Sequence, residues 1–146
     1  MINTGKNLDL AVLNLKKNNI VVIPTETVYG LGANALSKKA VSKVFKLKKR
    51  PQNDPLICHT NSIEKISQYV KKIPSKAKLL NDIYWPGPLT ILFEKKNIIP
   101  DITTSNLKTV GFRIPNNRIT LKLLEKLDFP IAAPSANMFG YVSPTC

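Results

Sequence analysis

Apolar side chains recur along the chain in short runs that alternate between helical and strand spacing. Residues 8–15 repeat at the helical period behind Asn7, a residue type that often caps helices. Residues 20–23 form a continuous apolar run that stops at Pro24, which predicts a buried strand. Residues 29–35 include two glycines and are interpreted as a strand or a loop.

The rest of the chain repeats this alternation. Ser37 predicts the start of a helix that ends before Pro51. Further helices are predicted at 63–70, 74–83 and 117–127, and strands at 56–60, 89–94, 110–114 and 129–133. Two helices have clear apolar faces, formed by Val41, Val44 and Phe45 in one and by Ala77, Leu80 and Ile83 in the other.

Alternating strands and helices indicate a layered α/β (α+β) fold, with a twisted, partly parallel open sheet flanked by helices. We expect a single domain over residues 1–146, because no linker or repeat interrupts the pattern. Residues 134–146 contain no closing element, so the last predicted strand has no obvious neighbour. We therefore infer that the chain is truncated, or that the remaining strands of the domain are absent.

The net charge of the chain narrows the range of its possible binding partners. The 146 residues include 22 lysines and arginines and 9 acidic residues, for a net charge of +13. This excess suits nucleic acid, a membrane surface or an anionic substrate, although a solvated, lysine-rich surface explains it equally well. Only Arg50, Arg113 and Arg118 are arginines, so their positions are more informative than those of the lysines.

The number of cysteines and the hydropathy of the chain indicate its cellular compartment. Cys58 and Cys146 are the only cysteines and show no spacing typical of metal ligands, which favours reduced thiols and no metal site. No apolar run approaches the ~18 residues of a membrane span. We therefore expect a cytoplasmic protein without membrane contact.

Hydroxyl, glycine and cationic residues collect in loops beside the predicted strands. Residues 24–32 combine threonines and glycines after a buried strand, where they either approach a small polar ligand or simply form a turn. Lys48 and Arg50 end a helix before a loop stiffened by two prolines. They either bind phosphate or interact favourably with the helix dipole.

Other polar residues interrupt or follow apolar strands. His59 is the only histidine, and a lone histidine more often has a structural role. Arg113 lies in an apolar strand, so it either faces solvent or holds a carboxylate in a cleft. Residues 132–137 are small or polar, so they either contact phosphate or ribose or cap a turn. Without a Walker or G-x-G-x-x-G motif, a nucleotide site must use scattered side chains.

Together these segments resemble the YrdC-like family of L-threonylcarbamoyladenylate synthases (TsaC). The resemblance runs through PTETVYGLGANA at 24–35, KKRPQNDPL at 48–56, WPGPLT at 85–90, VGFRIP at 110–115, PIAAPSAN at 130–137 and SPT at 143–145. Six segments in the same order along nearly the whole chain argue against a chance match.

The resemblance implies a concave basic cavity that converts L-threonine, bicarbonate or CO2, and ATP with Mg²⁺ into threonylcarbamoyl-AMP and pyrophosphate. It also implies downstream proteins that transfer the threonylcarbamoyl group to tRNAs reading ANN codons. By matched position, L-threonine is held by Thr27, His59, Arg113 and Ala133. The nucleotide is held by Lys48, Arg50, Asp54, Thr109, Ser135, Asn137 and Ser143, with Lys48 and Arg50 as the catalytic pair.

The sequence departs from the family pattern at three points. Asp54 stands where the family commonly has asparagine, so either it faces magnesium or the loop shifts and Asn53 serves instead. Gly111 and Phe112 replace small and β-branched residues, which we interpret as packing variation. The family domain continues past Cys146 with further strands and a lid over threonine, so activity without them is in question.

Three other interpretations stay open. The net charge suits an RNA-binding YrdC-like module, with contact to RNA or tRNA through the cavity. A carbamoyl-transfer domain of hydrogenase maturation shares the fold, but its paired cysteines are absent from this sequence. The third interpretation is an inactive, truncated fragment.

Overall fold

The computed structural model describes residues 7–138, 140–143 and 145. Its helices are α1 (Leu8–Lys16), α2 (Lys38–Lys48), α3 (Ile63–Ile66), α4 (Ser75–Tyr84) and α5 (Arg118–Glu125). Its strands are β1 (Val21–Ile23), β2 (Gly30–Asn34), β3 (Ile57–His59), β4 (Ile91–Glu94), β5 (Thr109–Arg113) and β6 (Ile131–Ala132). The alternation predicted from the sequence is confirmed, although most strands are shorter than predicted.

Helix starts follow the capping chemistry of the sequence. The side chain of Asn7 accepts a hydrogen bond from the backbone N–H of Leu10 at 3.1 Å, and that of Ser37 accepts one from Ala40 at 3.2 Å. Asn117 caps α5 in the same way. These contacts satisfy backbone donors that have no partner inside the helix, so they fix where each helix begins.

The sheet has six strands in the order β1-β2-β6-β3-β5-β4. Only the β3–β5 pair is parallel, and the other pairs are antiparallel. A partly parallel open sheet is therefore confirmed. The expectation that the last strand has no neighbour is wrong, because β6 lies inside the sheet between β2 and β3.

The two faces of the sheet are covered to different extents. One face packs on α2 and holds Cys58, Val110 and Phe112 in a continuous core. On the other face, residues of α1 and α5 pack against Ile23 and Ile131, so they cover only the β1-β2-β6 half. The β3-β5-β4 half of this second face stays open, and Leu92 there is 70% exposed.

The prediction for the face of α4 is wrong at its C-terminal end. Ala77 is buried, as expected, but Ile83 is 61% exposed. Helical spacing identified apolar residues but not which of them another element covers. No helix in the described part of the chain is both long and apolar enough to cross a bilayer.

Candidate functional site

A cavity of about 330 Å³ opens where the helical cover of the second face ends. Its walls come from the β1–β2 loop, the α2–β3 loop, β3, β5 and the segment after β6. All four residues predicted to hold L-threonine line this cavity, namely Thr27, His59, Arg113 and Ala133. Three of the predicted nucleotide residues also line it, namely Arg50, Asp54 and Ser135.

Arg113 is held at one end of the cavity by a carboxylate that is distant in sequence. Its Nη2 donates to Glu26 Oε1 at 2.5 Å and to Thr27 Oγ1 at 3.2 Å. The other carboxylate oxygen of Glu26 accepts from the backbone N–H of Asn116 at 3.2 Å. Arg113 Nε is buried without a hydrogen-bond partner among the described residues. The guanidinium is therefore fixed in place with one donor unsatisfied.

Sequence reasoning missed Glu26, although the signal was present. An arginine inside an apolar strand requires a charged partner if it does not face solvent. Glu26 is the only acidic residue between Asp9 and Asp54, and it lies within the motif at 24–35. The β1–β2 loop thus offers an acidic partner for Arg113 once the loop is recognised as part of the same site.

Thr25 shapes the loop that carries Glu26 and Thr27. Its Oγ1 donates to the carbonyl of Val28 at 2.6 Å. The same oxygen accepts from the backbone N–H groups of Thr27 and Val28 at 3.2 and 3.1 Å. Threonine side chains make such local backbone contacts readily in turns. This turn directs Glu26 and Thr27 towards Arg113.

His59 lies beside Arg113 on the parallel neighbouring strand. Burial, and then the positive charge of Arg113, lowers the pKa of His59 from 6.5 to about 4. The imidazole is therefore neutral near pH 7. Its Nδ1 is buried and has no hydrogen-bond partner among the described residues. Two unsatisfied polar atoms, this one and Arg113 Nε, thus occur at the same end of the cavity.

Arg50 is held at the other end by its own loop. Its Nε donates to the carbonyl of Asp54 at 3.0 Å, and its Nη2 donates to the carbonyl of Pro55 at 3.1 Å. Asp54 Oδ1 forms an ion pair with Nη2 at 2.8 Å. Asn53 is exposed and does not line the cavity. Asp54 therefore pairs with Arg50. The exposed position of Asn53 gives no support to the alternative in which Asn53 takes the place of the family's asparagine.

The segment after β6 forms the cavity wall between the two arginines. The backbone N–H of Leu31 donates to the carbonyl of Pro134, and the N–H of Ala136 donates to the carbonyl of Tyr29, both at 2.8 Å. A Cβ placed on Gly30 would lie 3.2 Å from Cβ of Ala133. Glycine at this position therefore permits the close approach that brings Ser135 to the cavity.

Four of the predicted nucleotide residues do not line the cavity. Lys48 points into the segment after β6 and donates to the carbonyl of Ser135 at 2.6 Å. Asn137 contacts its own tail, donating to the carbonyl of Tyr141 at 2.5 Å and accepting from Ser143 Oγ at 3.3 Å. Thr109 lies at the far end of β5 from Arg113. Their contacts with a nucleotide stay predictions.

The described residues provide no ready-made metal centre. They contain no group of three or more His, Cys, Asp or Glu side chains able to hold a metal ion. The carboxylate nearest to the cavity, Asp54, is already paired with Arg50. A Mg²⁺ ion at this site would need most of its ligands from phosphate oxygens and water, as is usual for this ion.

Fold and site together define an α/β protein with a cavity that is lined by two fixed arginines. A family model described as Sua5/YciO/YrdC, telomere recombination, matches residues 14–146. The chain belongs to this Sua5/YciO/YrdC family.

Two curated relatives and one solved structure show how far the similarity extends. The threonylcarbamoyl-AMP synthase of Pyrococcus abyssi is 47% identical over 90% of this chain and 38% of its own length. A putative threonylcarbamoyl-AMP synthase of Methanocaldococcus jannaschii is 41% identical over 96% of this chain and 65% of its own. The crystal structure of P. abyssi Sua5 complexed with L-threonine is 43% identical, with a TM-score of 0.92, over 98% of this chain and 42% of the other. The chain thus spans less than two-thirds of these relatives.

Proposed function

We propose that the protein forms threonylcarbamoyl-AMP and pyrophosphate from L-threonine, bicarbonate or CO2, and ATP. The observation that carries this proposal is that Arg113 and Arg50 line one cavity, Arg113 beside the last residue of β3 and Arg50 beside the loop that precedes β3. An arginine fork suits a carboxylate at one end and a phosphate at the other. The names of the curated relatives, and the L-threonine complex of a structural relative, support the same substrates.

The Arg113 end is proposed to bind the amino acid. A carboxylate placed there is attracted by the positive charge of the Arg113 guanidinium, which lines the cavity. Thr27 or His59 then contacts the threonine hydroxyl, with Ala133 packing beside it. A site built to bond that hydroxyl discriminates strongly against analogues that lack it.

The Arg50 end is proposed to bind the triphosphate, with Ser135 as a further donor. Thr109, Gly111 and Arg113 alternate on β5, so they share the open face of the sheet. Gly111 itself is buried, and a Cβ placed on it would lie 3.1 Å from Cγ2 of Thr90 and 3.4 Å from Cδ2 of Leu92. The glycine therefore makes room for these two side chains, and a contact between Thr109 and the nucleotide stays a prediction.

The proposed chemistry needs no covalent enzyme intermediate. The deprotonated amine of threonine bonds to the carbon of CO2 and loses a proton, which gives a carbamate. A carbamate oxygen attacks the α-phosphorus of ATP. The bond between the α-phosphorus and the oxygen that bridges to the β-phosphorus breaks, and pyrophosphate leaves. The residues contribute by holding the reactants in line and by offsetting negative charge. A Mg²⁺ ion bound mainly by the phosphates would offset further charge.

The product is proposed to pass to other proteins that modify ANN-decoding tRNAs. We propose that this reaction takes place in the cytoplasm and in a single YrdC-like domain. The net charge of +13 supports a second candidate, direct RNA binding. RNA affinity that falls steeply with salt, without saturable ATP binding, would favour this second candidate over the synthase.

The test measures pyrophosphate release that depends on ATP, L-threonine and bicarbonate together. It compares Arg50→Ala with Arg118→Ala, since Arg118 is an exposed arginine at the start of α5 and serves as a matched control for charge. We expect Arg50→Ala to abolish release and Arg118→Ala to leave it unchanged. Normal release from Arg50→Ala would remove Arg50 from the mechanism.

A further inference from the structure

Lys48 occupies an unusual position for a lysine. Its neighbours on the buried side of α2 are Val41, Val44 and Phe45, so Lys48 continues an apolar stripe at helical spacing. Only 2% of the residue is exposed. Lysines are rarely buried to this extent unless their ammonium group has specific partners.

The partners of the Lys48 ammonium are backbone carbonyls. Nζ donates to the carbonyl of Ser135 at 2.6 Å and also to the carbonyl of Asn137. It forms no ion pair with any described residue. Two of its three donors are therefore committed to the backbone of the segment after β6.

These two carbonyls lie where the sheet-like pairing of that segment ends. Up to Ala136, the backbone is tied to its neighbours by hydrogen bonds that include those to Leu31 and Tyr29. Beyond it, the chain turns away into the tail that Asn137 contacts. Lys48 thus joins the end of α2 to Ser135, within the paired stretch, and to Asn137, just beyond it.

We propose that Lys48 is a positioning residue, which fixes Ser135 at the cavity by holding the backbone at 135 and 137, and that it does not bind phosphate itself. A move of Nζ to a ligand would break both contacts and leave two carbonyls without their cationic donor. Burial, and then the charge of Arg50, lowers the pKa of Lys48. A bound anion would offset that repulsion without touching Nζ.

The first test needs no ligand, so it does not depend on the proposed function. Amide hydrogen exchange of Leu31 and Ala136 is measured in Lys48→Met and in a control variant, Lys46→Met. The control removes the same charge from an exposed site on the same helix. Exchange of both amides should accelerate about tenfold or more in Lys48→Met only, as expected for the loss of charge-assisted hydrogen bonds. The amide of Ile99, outside the segment, reports global destabilisation.

Unchanged exchange of Leu31 and Ala136 in Lys48→Met would overturn the proposal. Equal acceleration of Ile99 would overturn it too, because the effect would then be general.

The second test uses the wild-type protein, so it stands even if Lys48→Met does not fold. It follows the ¹⁵N signal of the Lys48 ammonium group during titration with ATP, and this arm rests on the proposed function. We expect ATP to shift Ser135 amide signals while the Nζ signal keeps its chemical shift and slow proton exchange. A scalar coupling from Nζ to phosphorus, or loss of its protection, would overturn the proposal. If ATP does not bind at all, the proposed function fails, and amide exchange still decides the role of Lys48.

Discussion

The two ends of the cavity differ in how each arginine is held. The Arg113 and Arg50 side chains are almost equally buried, at 13% and 14% exposure, and each pairs with one carboxylate. Arg113 pairs with Glu26, 87 positions away, whereas Arg50 pairs with Asp54, four positions away. One end is thus assembled by the tertiary fold and the other by a local loop.

This difference has consequences for stability and for binding. The Glu26 side chain is only 16% exposed, so it depends on Arg113 for neutralisation. Asp54 is 39% exposed and can be solvated without its partner. Substitutions at the Arg113 end should therefore affect folding and binding together, whereas those at the Arg50 end should mainly affect binding.

The largest effect is expected from Arg113→Met, which leaves Glu26 without its cation. We expect a loss of about 3 kcal/mol in the free energy of unfolding, because breaking a largely buried pair leaves an uncompensated charge. L-threonine affinity should fall at least about a hundredfold. Denaturant unfolding and calorimetric titration measure the two quantities.

The matched variants separate these two contributions. Adding Glu26→Gln to Arg113→Met should recover stability but not binding, whereas Arg118→Met should change neither. Recovery of threonine affinity in the double variant would show that Arg113 does not hold the carboxylate.

A smaller effect is expected from protonation of His59. Its folded-state pKa of about 4 lies below its ordinary value of 6.5, so the unfolded chain binds the proton first as pH falls. The stability contributed by the neutral imidazole is therefore present above about pH 6.5 and lost progressively towards pH 4. His59→Asn should flatten this part of the profile of unfolding free energy against pH.

The protein contains a single histidine, so its imidazole proton signal can be followed directly by NMR. A midpoint near 6.5 in the folded protein would contradict the burial of His59 beside Arg113.

The smallest effect is expected from Asp54→Asn. This change removes a partly exposed ion pair, so the free energy of unfolding should change by less than about 1 kcal/mol. Arg50 keeps its hydrogen bonds to the carbonyls of Asp54 and Pro55, which are backbone groups. Loss of a negative charge near the phosphates should tighten ATP binding about threefold, as measured by titration. Weaker binding would instead show that the carboxylate is needed to orient Arg50.

The elements were predictable because their signals are local. Caps at Asn7, Ser37 and Asn117, together with helical or alternating apolar spacing, placed nearly every element close to its observed position. The place of β6 was not predictable in this way. It pairs with β2 and β3, and such long-range pairing leaves no mark on a short segment of sequence.

The site was predictable in part, for the same reason. The motifs indicated Arg113 and Arg50 but not the partner of Arg113, since the contact with Glu26 depends on how β5 and the β1–β2 loop meet. Lys48 was grouped with Arg50 because both lie at the end of the same predicted helix and both match the family pattern. Its place on the stripe formed by Val41, Val44 and Phe45 indicates instead that it points into the protein.

The most direct test of the central claim, that one cavity holds a carboxylate at Arg113 and a phosphate at Arg50, uses the three arginines of the chain. Their side-chain Nε–H groups give three NMR signals, of which that of Arg118 is an internal control. We predict that L-threonine shifts the Arg113 signal, that ATP shifts the Arg50 signal, and that the Arg118 signal does not respond. Saturable binding of both ligands with the Arg113 and Arg50 signals unmoved would contradict the account.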